Sequence, residues 1–207
     1  MLPAGMMSPE SHREPDSNFT RVDAALRWAR AALAVVPASE AVVEPLDAQV
    51  LLCHVLDVPR TRLIAHPEDP LTPEHAAQFR SLVTQRAAGT PIAYLTGTRP
   101  FFDRDIVVTP DVLIPRPETE LLIESALEWV AARDVSPCRI VDVGTGSGAI
   151  AVTLAAHVPA ARVWAVDVSR AALRVAQINA AQNGVKSRFF AVQSDLLTAL
   201  RGPIDLI

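Results

Sequence analysis

Three glycines within five residues, Gly144, Gly146 and Gly148, follow the apolar run Ile140-Val141-Asp142-Val143. A second run, Arg162-Val163-Trp164-Ala165-Val166-Asp167, ends in another acid. A loop that brings its backbone against a ligand needs residues without side chains, and glycine also tolerates the positive φ of tight turns. A helix opening after such a loop offers unpaired N–H groups to an anion. The layout is that of a nucleoside-cofactor site. Glycine spacing alone does not choose the cofactor, because Gly144, Gly146 and Ala149 also satisfy a dinucleotide pattern. Asp142 does. Two residues before the first glycine, its carboxylate would repel a pyrophosphate, but attract the ammonium and sulfonium of S-adenosylmethionine. Asp167 stands roughly 20 residues further on, where such folds place a ribose-binding acid. Ser194-Asp195-Leu196 follows a third apolar run and would reach the adenine. There Asp195 is expected to accept from the exocyclic amine and Leu196 to cover the ring. The candidate cofactor set is Asp142, Gly144, Thr145, Gly146, Ser147, Gly148, Asp167, Asp195 and Leu196.

The elements that position this set alternate. From Glu118 onward the pattern predicts a helix over 119–132, a strand over 139–143 and a helix over 149–157. A strand over 162–167, a helix over 169–183 and a strand over 187–193 follow, and another strand begins at Ile204. Such alternation implies a parallel sheet with helical crossovers, an α/β Rossmann-like domain. On the helix over 119–132, Leu122, Ile123, Ala126, Leu127 and Val130 are expected inside. Ser169 is a better cap for the next helix than Asp167. Arg116 and Glu120, at a helix start, read as a surface pair.

Upstream the texture differs. Residues 19–89 show only helical periodicity, a small bundle. Leu46, Val50, Leu51, His54 and Val55 are the expected inner stripe of its second helix. Thr72-Pro73-Glu74 reads as a cap followed by proline in the first turn. Residues 90–117 form a proline-punctuated connector, in which Asp105–Thr109 and Val112–Ile114 are expected to pair as a hairpin around Pro110-Asp111. Residues 1–18 read as a flexible lead, and 118–207 as the α/β domain.

Composition sets limits. Of 207 residues, half are hydrophobic and the net charge is −4, so there is no basic surplus to hold nucleic acid. No run approaches the ~18 apolar residues of a membrane span. Cys53 and Cys138 are not spaced as metal ligands and read as thiols of a reducing, cytoplasmic compartment. The histidines fall at no ligand spacing, and no metal is expected.

Two further runs carry a family resemblance. Gln85 to Gly97 (Gln-Arg-Ala-Ala-Gly-Thr-Pro-Ile-Ala-Tyr-Leu-Thr-Gly) leads to Leu113-Ile114-Pro115-Arg116-Pro117-Glu118-Thr119-Glu120. Together with Asp142 to Gly148 they resemble the HemK/PrmC family of protein-glutamine methyltransferases, and Leu46 to Leu52 is similar to its helical domain. The resemblance implies transfer of a methyl group from S-adenosylmethionine to the side-chain amide of the glutamine in the Gly-Gly-Gln loop of peptide-chain release factors. It implies a helical domain that docks the release factor, and a monomer. Leu196 departs from the aromatic residue often found there in relatives. The family's Asn-Pro-Pro-Tyr loop is expected just beyond Ile207. On that reading the chain is C-terminally truncated, its sheet is incomplete, it holds no catalytic residue, and the 207 residues alone are expected to be inactive. A nicotinamide oxidoreductase and a docking adaptor without chemistry are the alternatives.

Overall fold

The computed structural model describes residues 19–34, 46–133 and 136–207. The chain divides into two compact units, the first through Thr96 and the second from Gly97 onward.

The first unit is helical: α1 Val22–Ala34, α2 Asp47–Leu56, α3 Arg60–Ala65, α4 Pro73–Ala87 and α5 Ile92–Thr96. Val22, Ala25, Leu26, Ala29 and Leu33 line one face of α1 at helical spacing and are buried. Thr72 caps α4 as its sequence suggests, with Oγ1 accepting the His75 N–H at 3.2 Å. The rings of Phe19, Trp28 and Phe79 meet at centroid distances of 5.3 to 6.4 Å and fill the centre. The face of α2 differs from the expected stripe. Ala48, Leu51, Leu52 and Val55 point inward, while Leu46, Val50 and His54 are exposed. The cause is electrostatic. Asp47 is buried with Arg86, whose Nε donates to Oδ2 at 2.7 Å. A buried charge needs its partner, so this pair sets the rotation of α2 against α4. Apolar periodicity cannot register it.

The second unit opens with an antiparallel hairpin, β1 Thr98–Phe101 and β2 Arg104–Val107. A hairpin does fall in the connector, and β2 overlaps the expected strand 105–109, but its partner is the upstream β1; Val112–Ile114 is not a strand. The turn lies at Phe102-Asp103, with Phe102 at φ +57. It lacks an Asn-Gly signature because distant side chains satisfy it. Glu120 Oε1 accepts the Phe102 N–H at 3.0 Å, and Asp103 pairs with Arg104 and His157. Glu120 is thus a turn anchor rather than a surface partner of Arg116.

A 3₁₀ turn over Pro117–Thr119 leads into α6 Glu120–Ala131. Only Ile123 of α6 is buried; Leu122, expected inside, is 58% exposed. The alternating elements follow as β3 Arg139–Val143, α7 Ala149–His157, β4 Arg162–Asp167, α8 Arg170–Gln182 and β5 Phe189–Gln193. The strands form a parallel sheet in the order β3-β4-β5. At the free edge of β3, Leu206 makes a single parallel bridge to Ile140, where the strand beginning at Ile204 was expected. Val143 is level with Val166, and Asp167 with Gln193. The C-terminal ends of all three strands therefore emerge side by side, the edge at which open α/β sheets bind ligands.

Candidate cofactor-binding site

The chain leaves β3 through Gly144, Gly146 and Gly148, at φ +74, +55 and +79. The last of these is Ncap of α7. A Cβ built on Gly148 would lie 2.9 Å from the Ala176 Cβ of α8. Glycine here lets two helices and a loop come together; Gly144 has no heavy atom within 4 Å of the same point.

The loop is tied to both neighbouring strands. The Gly144 and Thr145 N–H groups donate to the Val166 carbonyl at 2.8 and 2.9 Å. Gly146 N–H donates to Asp167 Oδ2 at 3.0 Å. The other oxygen of Asp167 accepts the Ser169 N–H at 2.9 Å, and Ser169 Oγ accepts the Ala172 N–H at 3.2 Å. Ser169 is therefore the cap of α8, as expected. Asp167 bridges the glycine loop to the start of that helix.

Asp142 is more deeply placed. Its Oδ2 accepts the Thr145 hydroxyl at 2.6 Å, and the carboxylate also accepts the Ala151 N–H in the first turn of α7. Part of the anion-binding capacity of this helix N-terminus is thus taken by the protein's own carboxylate. Burial pushes its proton affinity above the ordinary aspartate range, and the charge of Asp167 adds to the rise. Among the described residues, no ion pair reaches either Asp142 or Asp167 (the ion pairs lie elsewhere). Two neighbouring carboxylates without an ion-pair partner are electrostatically suited to a cationic ligand. A pyrophosphate would add to their repulsion.

After β5, Ser194 is buried and its hydroxyl accepts the Ala199 N–H at 3.0 Å, folding the chain back. Asp195 is exposed. Leu196 is held at φ +49 with its side chain 65% exposed. A left-handed leucine presented to solvent carries strain of the kind found at ligand sites. The fold thus brings all nine predicted residues to the C-terminal edge of one sheet, on β3 and its loop, at the end of β4, and after β5.

Two features lie outside the sequence reading. Asn179, in the middle of α8, is fully buried and bonds to the Ser147 carbonyl. Its signal was a polar residue on the apolar stripe Ala172, Val175, Ala176, Ala180. In the first unit, ligand atoms of His66, Glu68 and Asp69 gather within 4.8 Å of one another. Arg62 already pairs with Asp69 at 3.0 Å, and His66 and Glu68 are exposed, which makes this a solvated charge cluster. Both cysteines are free thiols, Cys138 buried and Cys53 half-buried, and burial raises the proton affinity of each.

Comparison with known proteins decides the family. Residues 24–97 match the model of the PrmC N-terminal domain. A release factor glutamine methyltransferase of Burkholderia pseudomallei is 49% identical over 164 residues, 76% of this chain and 56% of that protein. Its namesake in Bordetella pertussis is 51% identical over 146 residues, 70% of this chain and 53% of that protein. The chain belongs to the PrmC family. It spans about half the length of the curated relatives it matches. Residues 119–207 also match the model of ribosomal protein L11 methyltransferase, PrmA. A crystal structure of ribosomal protein L11 methylase from Lactobacillus delbrueckii subsp. bulgaricus is 30% identical over 42% of each chain, with a TM-score of 0.35. A helical unit matched by the PrmC N-terminal domain and a Rossmann-like domain matched by a methyltransferase model are thus joined in one chain.

Proposed function

We propose that the glycine-loop edge binds S-adenosylmethionine, and that it serves methyl transfer to the side-chain amide of the Gly-Gly-Gln glutamine of a release factor. The observation that carries the cofactor half is the pair Asp142 and Asp167, hydrogen-bonded but without an ion-pair partner among the described residues, around a glycine loop at a helix N-terminus. In this reading Asp142 supplies negative charge for the ammonium. Gly144 to Gly148 let the backbone close on the ligand, Asp167 accepts from the ribose hydroxyls, and Asp195 and Leu196 take the adenine. When bound, S-adenosylmethionine supplies an electrophilic methyl group on a sulfonium. The chain's own residues hold and orient; orientation and electrostatic preorganisation are large terms in such transfers.

The substrate half is supported by relatives named release factor glutamine methyltransferase, together with the match of the helical unit to the PrmC N-terminal domain. We propose that this unit docks the release factor and that the protein works as a cytoplasmic monomer without direct nucleic-acid contact. No described helix is long and apolar enough to cross a membrane.

The PrmA match favours a second reading, methylation of ribosomal protein L11, for the cofactor-binding half alone. One assay separates the two. The gene product carrying these residues is given labelled S-adenosylmethionine with an unmodified release factor or with L11, and the product is mapped by mass spectrometry. Methylation of the Gly-Gly-Gln glutamine is expected. Label on L11 alone, or on another release-factor residue, would overturn the substrate assignment.

A further inference from the structure

Asn179 is fully buried in α8, and its amide makes three hydrogen bonds, all to backbone. Oδ1 accepts the Val107 N–H at 2.7 Å. Nδ2 donates to the Val107 carbonyl at 2.9 Å and to the Ser147 carbonyl at 2.8 Å. Only this orientation of the amide satisfies all three partners. Towards Val107 the side chain acts as a strand would, pairing both N–H and C=O of the last residue of β2. Towards Ser147 it holds the glycine loop two residues before α7 begins.

The close approach at Gly148 makes this reach possible. Ala176 lies one turn before Asn179 on the same face of α8, and it is the residue against which a Gly148 Cβ would collide. Asn183, one turn after Asn179, continues the fastening: its Nδ2 donates to the Asn179 carbonyl, and its Oδ1 accepts from Arg104 at 3.3 Å. The glycine loop is thus held from β3 through Asp142, from β4 through Val166 and Asp167, and from α8 through Asn179. Only the last tie also grips the hairpin. The chain runs on from Val107 into Leu113-Ile114-Pro115-Arg116-Pro117, the run that carries the family resemblance.

We propose that Asn179 is a positioning residue that locks the glycine loop to the end of the β1–β2 hairpin, so that cofactor binding at the loop is transmitted to Val107. The proposal rests on the reading of the loop as the S-adenosylmethionine site. A buried amide whose three bonds all go to backbone fixes main-chain geometry, and removing it leaves two carbonyls and one N–H without partners.

The test combines calorimetry with amide hydrogen exchange on the 207-residue chain. In the unmodified chain, S-adenosylmethionine should slow exchange at the Val107 and Val108 amides along with the loop amides. In Asn179→Ala the dissociation constant should rise at least tenfold, and the Val108 amide, which donates to the Gly97 carbonyl and keeps that bond in the variant, should lose its response to cofactor, while exchange in β3 and β4 changes little. A merely structural role would loosen the sheet as well and leave the response at Val108 in place. Unchanged affinity in the variant would overturn the proposal and leave the cofactor reading standing. Should Asn179→Ala fail to fold, the unmodified chain decides: protection that stops at the loop and never reaches Val107 overturns the coupling. Absence of any binding by the unmodified chain would overturn the cofactor reading and this inference with it.

Discussion

Alanine at Gly148 should be the most damaging single methyl group in the glycine loop. At φ +79 an L-residue pays a backbone penalty of about 1–2 kcal/mol. The added Cβ would also lie 2.9 Å from Ala176 Cβ and 3.1 Å from its Cα, distances that force α8 to move. Overpacking of this kind costs about 1–3 kcal/mol, so the expected loss is about 2–5 kcal/mol. Gly144 is the internal control. Its φ of +74 gives the same backbone penalty, but its Cβ would meet nothing, so Gly144→Ala should lose only about 1–2 kcal/mol. Native-state hydrogen exchange at the amides of β3, β4 and β5 reads the stability of this unit separately from the helical one. A double-mutant cycle isolates the collision. Ala176→Gly removes the nearest atom and should recover about 1 kcal/mol in the Gly148→Ala background, net of its own helix penalty. The recovery is partial because the backbone of α8 at position 176 still crowds the added methyl group. Equal losses for Gly144→Ala and Gly148→Ala, with no coupling to position 176, would refute the reasoning.

Other outcomes follow from the same geometry. Asp142→Asn should weaken S-adenosylmethionine binding by about 10- to 100-fold, the range for losing one charged hydrogen bond of about 1.5–3 kcal/mol; calorimetry at pH 7 measures it. Because burial and Asp167 raise the proton affinity of Asp142 in the folded state, the folded chain holds the proton to higher pH than the unfolded one. The stability of the unmodified chain should therefore fall relative to Asp142→Asn as pH climbs from about 4 through the raised value, and a constant difference across urea melts would contradict this. Cofactor affinity should rise over the same window, since the ionised carboxylate is the form that attracts the ammonium. Truncating Arg86 to alanine removes the guanidinium that faces the buried Asp47 carboxylate and should destabilise the helical unit by about 3–5 kcal/mol, whereas Thr72→Ala should cost only about 1 kcal/mol. Denaturation followed at the amides of α2 and α4 distinguishes the two.

Much of the site could be read before the fold was known, because its chemistry is local. A strand, a glycine loop and a helix start are contiguous in sequence, and a strand-end acid is recognisable from its own neighbours. Asp142, Gly148, Asp167 and Ser169 therefore fall where their spacing puts them. What escaped depends on partners far along the chain. The rotation of α2 is set by Arg86, thirty-nine residues from Asp47. The hairpin turn is set by Glu120 and His157, which stand in for missing turn residues. The tie from Asn179 to Val107 spans seventy-two residues. In each case a side chain replaces what backbone propensity would otherwise have to supply, and no short window of sequence contains both ends. The exposed Leu121 and Leu122 on α6 show the converse limit. Periodicity marks an apolar face; burial also requires something to cover it.

The claim on which the rest depends is that the β3–β4–β5 edge binds S-adenosylmethionine through Asp142 and Asp167. Isothermal titration of the chain with S-adenosylmethionine and, separately, with NAD tests it most directly, repeated with Asp142→Asn. Binding of S-adenosylmethionine that the substitution weakens at least tenfold, with no heat from NAD, is the predicted result. Saturable NAD binding, or S-adenosylmethionine binding indifferent to Asp142, would contradict it.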